Sequence, residues 1–191
     1  MQWNRSKTIG LANVNCSVCH GVGLHTERNG HDTACKCVLR EIFRACWNRF
    51  RECVALGVPS SVSFDITSGC TAHRSYSRKR EEFAADFILV TKRTLNEEDY
   101  RLFRYFFLLG ANWKLCCKHL PMERQHFFHN LYRIEQRLGR VFAELEPYSL
   151  YPVDVYFAGR RHCEPVRACI PLVTEAEPKP ELLIHWQKLV A

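Results

Sequence analysis

Four cysteines in the first forty residues have the spacing of metal ligands. Cys16-Ser17-Val18-Cys19-His20-Gly21-Val22-Gly23 is followed, after Ala34, by Cys35-Lys36-Cys37. A Cys-x-x-Cys turn bends the backbone so that two thiolates face one ion, and a second pair completes the tetrahedron that Zn²⁺ favours. The glycines after the first pair permit a tight turn and free backbone amides to hydrogen-bond the sulfurs. Cys37 opens an amphipathic run, where a helix dipole favours a thiolate. Structural zinc on Cys16, Cys19, Cys35 and Cys37 is therefore expected, with His20, His25 and His31 as substitute ligands. Three other chemistries fit part of the pattern. Cys16-x-x-Cys19-His20 matches c-type haem attachment, but that follows export, and the first 15 residues hold no apolar signal core. Thioredoxin-like exchange needs a βαβ setting that is not evident, and four free thiols remain the plainest alternative.

A second set of residues could meet nucleic acid. Phe127, Leu131, Ile134, Leu138, Val141 and Leu145 recur at spacings of four and three, making a helical seam. Off that seam lie Arg124, Gln125, His126, His129, Asn130, Arg133, Gln136, Arg137 and Arg140. Gln and Asn can read adenine edges, Arg can read guanine, and backbone-facing Arg neutralises phosphate. Any amphipathic helix has a polar outer face, so the face alone decides little. The wider pattern adds weight: helical pieces at Asn96–Leu109, Asn112–Leu120 and Glu123–Leu145, broken at Gly110-Ala111 and Pro121-Met122, have the lengths of a helix-turn-helix.

Two resemblances follow from these residues. Cys16 to Gly23 resembles the Cys-x-x-Cys-x-Gly-x-Gly unit of the zinc region of DnaJ-type chaperones, which implies a zinc knuckle. The J-domain His-Pro-Asp triplet and a Gly/Phe-rich linker are not seen, so chaperone work is not implied. The stretch from Leu95 to Phe103, the turn from Gly110 to Leu120, and Arg133-Ile134-Glu135-Gln136-Arg137-Leu138-Gly139-Arg140 together resemble region four of bacterial sigma factors. That resemblance covers about 50 of the 191 residues. It implies a helix-turn-helix in which His129 and Asn130 face bases, and Gln125 and His126 sit at the entry to the groove. Arg124, Arg133, Arg137 and Arg140 then contact phosphates. Trp113 and Cys116-Cys117 stand where that family has small residues, and no segment for promoter melting is evident.

The elements that must position these groups can be read from periodicity. Val38, Leu39, Ile42, Phe43, Cys46, Phe50, Cys53 and Val54 mark one face of a helix over 38–56, which Gly57 and Pro59 stop. A helix from about Lys79 to Lys92 offers Phe83, Phe87, Ile88 and Val90 for burial. Asn96 is a candidate N-cap, with Glu97, Glu98 and Asp99 suiting the helix dipole. The expected fold is mainly α. A zinc-binding module with its helix occupies 1–57, after an irregular lead-in over 1–15. A linker and basic arm follow over 58–79, with a short alternating piece at 62–66 and the run Arg74, Arg78, Lys79, Arg80. The helix-turn-helix unit spans 80–146, and an irregular Pro-bearing tail spans 147–191.

Charge agrees with a polyanionic partner. The net charge is +7, and basic residues outnumber acidic ones eight to four in 1–57 and fourteen to eight in 71–140. The longest apolar run, Tyr105 to Ala111, is far short of the roughly 20 residues that span a bilayer, so no membrane partner is expected. Eleven cysteines without an export signal point to a reducing, cytoplasmic setting. Cys46 and Cys53 read as small core hydrophobes. No nucleotide-binding, hydrolase, metalloprotease or deaminase motif is present, so no enzyme is expected. The expected function is sequence-specific binding of double-stranded DNA in transcription regulation. One alternative is an adaptor docking on RNA polymerase or a nucleoprotein complex. Another is single-stranded nucleic-acid or RNA binding through Trp47, Tyr76 and Trp113.

Overall fold

A computed structural model describes residues 3–27, 30–56 and 71–158, with backbone alone at 56 and 71–77. The described chain is mainly helical, with one two-stranded sheet. The lead-in is not wholly irregular. Asn4 accepts a hydrogen bond from the Lys7 amide at 3.1 Å and caps a single helical turn, α1 (Arg5–Thr8). Strands β1 (Leu24–Thr26) and β2 (Asp32–Ala34) pair antiparallel, with Leu24 opposite Ala34 and Thr26 opposite Asp32.

Helix α2 (Lys36–Leu56) leaves β2 directly. Its stripe of Val38, Leu39, Ile42, Phe43, Cys46, Phe50 and Cys53 is buried as the periodicity predicts, while Val54 is exposed. Helix α3 (Thr71–Thr94) begins eight residues before the expected start, so the basic run lies on a helix rather than in a linker. Arg78 there pairs with Glu82 one turn on, at 3.2 Å. Residues 57–70, including the expected 62–66 piece and Cys70, lie outside the described residues. Phe83, Phe87 and Thr91 face the core, whereas Ile88 and Val90 are half-buried.

Asn96 caps helix α4 (Glu97–Phe103), accepting from the Asp99 amide at 2.8 Å. The helix then widens into a π-helical turn, Arg104–Leu108. That extra residue per turn lets successive side chains reach different neighbours. Tyr105 stacks on His119, Phe106 meets Phe127 edge-on, and Phe107 packs against Phe43 and Trp47. Gly110 closes the segment at φ +66°, a left-handed conformation suited to glycine. Asn112 caps α5 (Trp113–His119), and a four-residue break, Leu120 to Glu123, leads to α6 (Arg124–Glu144).

Helices α2, α3, α4 and α6 share one core, centred on Phe43, Phe87, Phe103 and Phe142. The most extensive packing is between α2 and α6, so the cysteine-bearing segment and the three-piece helical segment are parts of one body. The buried stripe of α6 is Phe127, Leu131, Ile134, Glu135, Leu138, Gly139, Phe142 and Ala143. Val141 and Leu145 of the expected seam are only half-buried. The described part of the tail also joins the core. Leu150 is fully buried, its carbonyl accepts from the Cys46 thiol at 3.7 Å, and α7 (Val153–Ala158) anchors on α3 through Tyr156 Oη donating to Asp86 at 2.7 Å. The rest of the tail, from residue 159, lies outside the described residues. No helix among the described residues is long and apolar enough to cross a membrane.

Candidate metal centre and basic helix

The local fold brings the two cysteine pairs together. After Cys16 the chain turns back, with the His20 amide donating to the Cys16 carbonyl and the Val22 amide to the Cys19 carbonyl, each at 2.9 Å. His20 and Gly21 take positive φ values of 48° and 84° to close this knuckle. Gly23, at φ +80°, lies so close to α1 that an added Cβ would stand 2.8 Å from Thr8 Cβ. Thr8 Oγ1 donates to the Val22 carbonyl at 3.1 Å, which seats α1 on the knuckle. The Gly23 carbonyl then accepts from the Cys35 amide at 2.9 Å and ties the knuckle to the end of β2. The Cys35 carbonyl accepts from Val38 and Leu39, so α2 starts from one of the four clustered cysteines.

The Sγ atoms of Cys16, Cys19, Cys35 and Cys37 all lie within 4.8 Å of one another. Cys16 and Cys35 are 3.8 Å apart, and Cys19 and Cys37 are 3.5 Å apart. Four sulfurs about 2.3 Å from one centre give a tetrahedral edge of about 3.8 Å. The cluster can therefore hold a metal ion. Backbone amides of Cys19 and Val18 hold the Cys16 thiol down at about 6, well below its ordinary 9.0. Burial pushes Cys35 up to about 12 and raises Cys37, although the Asn13 amide opposes the latter. Such sheltered thiols become thiolates when a cation replaces their protons. His20, His25 and His31 are exposed and lie outside the four-sulfur group. Cys16 lies against Cys35 and Cys19 against Cys37, so the first pair faces the second.

The polar face of α6 lies where the sequence put it, with some qualifications, among them that Gln136 is half-buried. Gln125, His126, His129, Arg137 and Arg140 are exposed. Arg124 is exposed but its guanidinium stacks 4.9 Å from the Trp113 ring of α5. Arg133 is exposed and donates to Asp99 of α4 at 2.9 Å. Asn130 is half-buried, so it is less available to a base than its position suggests. Glu135, although off the expected seam, is buried and accepts from Arg40 Nε at 2.6 Å, while the same guanidinium covers the Tyr132 ring at 4.1 Å.

The structure adds Thr33 and Lys36, which the sequence reading passed over, and gives His25 a different place: all three face the Arg133–Arg140 stripe across a cleft of about 660 Å³. Lys36 stands between two candidate metal-ligand cysteines, which is the one signal that could have marked it. The aromatic reading loses much of one member: Trp47 is half-buried, stacked on Phe50, tilted against Phe87 and edge-on to Phe107. The Tyr76 side chain, Cys163 and Cys169 lie outside what is described. No protein-family model, curated protein or solved structure matches the chain.

Proposed function

We propose that the chain is a zinc-stabilised, sequence-specific binder of double-stranded DNA, acting in transcription regulation. One observation carries the reading. The face of α6 that bears Gln125, His126, His129, Arg137 and Arg140 is exposed, while its opposite face is locked into the core by α2, α4 and α5. A rigid helix with an open Arg/Gln/His face, preceded by a short helix and a tight break, is the arrangement that inserts into a major groove. Gln125, His126 and His129 serve as base readers, Asn130 contributes from its half-covered position, and Arg124, Arg133, Arg137 and Arg140 contact phosphates.

Zinc suits the four-thiolate set because it is a tetrahedral, redox-inert ion that prefers sulfur ligands in structural sites. It supplies no reaction here. It clamps the hairpin to the start of α2, a segment with too few apolar residues to hold itself.

The test is a mobility shift on full-length protein, after selection of bound duplexes from a random pool. A selected site should outcompete random duplex by about 10³ or more. Equal affinity for every duplex removes the specific reading and favours an adaptor that docks on RNA polymerase. Native mass spectrometry should show one zinc per chain; zinc-free protein with intact fold overturns the metal assignment.

A further inference from the structure

The stripe of α6 bearing Arg133, Arg137 and Arg140 is faced by the metal-bearing segment. The intervening cleft, of about 660 Å³, carries Lys36 on the opposite wall and a single carboxylate, Glu27. Val18, Leu39 and Val141 supply apolar lining. Among the described residues, Lys36, Arg137 and Arg140 form no ion pair, and Arg133 shares its charge with Asp99. Like charges gathered in a cleft with low-dielectric walls repel one another and focus a positive potential there. An anion relieves that repulsion.

The shape of the charge selects the anion. Arg133, Arg137 and Arg140 follow one another at spacings of four and three, a line of about 10 Å at 1.5 Å rise per residue. That is too long for one carboxylate or one phosphate. The cleft is also too small for a duplex, whose major groove alone is about 12 Å wide. Guanidinium groups in a row match successive phosphate oxygens, and Lys36 adds a point charge from the other side. The same helix leads without a break to exposed His129, His126 and Gln125.

We propose that this cleft seats one sugar-phosphate strand of the bound nucleic acid, so that the metal-held segment is itself one wall of the binding site. The inference rests on the nucleic-acid reading above and extends it: Lys36, between two ligand cysteines, becomes a contact residue, and the ion shapes the site as well as the fold.

The experiment measures affinity of the full chain for a random-sequence 20-base-pair duplex DNA between 50 and 200 mM salt. The variant Lys36→Gln/Arg137→Gln/Arg140→Gln is compared with Lys92→Gln/Arg93→Gln/Arg101→Gln, which removes equal charge from exposed residues outside the cleft. Each lost phosphate contact lowers the slope of log K against log salt by about 0.9, so the cleft variant should lose about 2 to 3 units of slope. Its affinity should fall at least tenfold, with the control close to the parent. A cleft variant that matches the control overturns the inference while leaving the DNA reading standing. A parent with no preference for any selected site, but a weakened cleft variant, removes sequence specificity and keeps the cleft. A parent that binds no duplex DNA removes both. Metal content and far-ultraviolet circular dichroism check folding. If the triple variant loses its metal, Arg137→Gln and Arg140→Gln singly carry the test, each with an expected slope change of about 0.9.

Discussion

Gly139 of α6 lies directly against the backbone carbonyl of Leu39 in α2. A Cβ at this position would fall inside the van der Waals shell of the Leu39 oxygen, and the nearest atoms are all backbone. Glycine inside a helix ordinarily costs about 1 kcal/mol relative to alanine. Here it permits the close crossing of the two helices that share the most surface.

Gly139→Ala should therefore destabilise, against its helix propensity. Overpacking against backbone that cannot yield costs about 1–3 kcal/mol. Urea unfolding of parent and variant should show a lower midpoint for the variant at unchanged slope. A rise in midpoint would mean that the helices can move apart freely.

The Arg40–Glu135 pair joins the same two helices at 2.6 Å, with Glu135 buried and Arg40 mostly covered. Removing one partner strands the other. Arg40→Met should cost about 3 kcal/mol because it leaves a carboxylate in the core without its cation. The double variant Arg40→Met/Glu135→Leu should recover much of that loss. Equal losses in the single and double variants would count against a coupled pair.

Much of this arrangement is legible in the sequence, and the exceptions have physical causes. The buried face of α2 and the cap Asn96 show because each is a local pattern of period or hydrogen bonding. Glu135 does not, since its partner sits 95 residues away and periodicity sees only the helix it belongs to. Strands of three residues, Leu-His-Thr and Asp-Thr-Ala, are too short for alternation to register. Their pairing is fixed from outside, by the Gly23–Cys35 hydrogen bond and the sulfur cluster. The first turns of α3, Thr71 to Arg78, have no apolar repeat and read as a linker. The four cysteines that cluster were visible from spacing alone, whereas the opposing wall at Lys36 required the tertiary fold.

Metal removal should act locally first. A chelator should abolish hydrogen-exchange protection over residues 16–37 while the α2–α6 core keeps its far-ultraviolet signal. Cys19→Ser should reproduce this without a chelator. Because thiolates are the ligands, apparent metal affinity should fall as pH is lowered from about 8 to about 6. Protection of 16–37 that survives both treatments would show that the hairpin stands without an ion.

Cys46 gives a second pH dependence, of opposite sign and unrelated to the metal. Burial pushes its thiol from 9.0 to about 12, and it is fully enclosed. The folded state therefore keeps a proton that the unfolded chain gives up as pH rises past 9.0. The stabilising contribution is complete below that value and declines by roughly 1.4 kcal/mol per pH unit on the way to about 12. Stability measured between pH 8 and 10.5 should fall less steeply in Cys46→Ala than in the parent, whatever the variant's offset. Parallel curves would place the alkaline loss elsewhere.

The π-helical turn at Arg104–Leu108 carries a consequence for how much this chain tolerates shortening. Its widened winding points three consecutive rings at three different helices, with Tyr105 toward α5, Phe106 toward α6 and Phe107 toward α2. Excising one residue there would let the turn relax to ordinary α winding and turn the rings on one side of the cut by roughly 100° relative to those on the other. The three rings could not then keep all their present neighbours. A deletion that looks harmless on paper would thus unfasten a hub, and the segment's length is as tightly set as its composition.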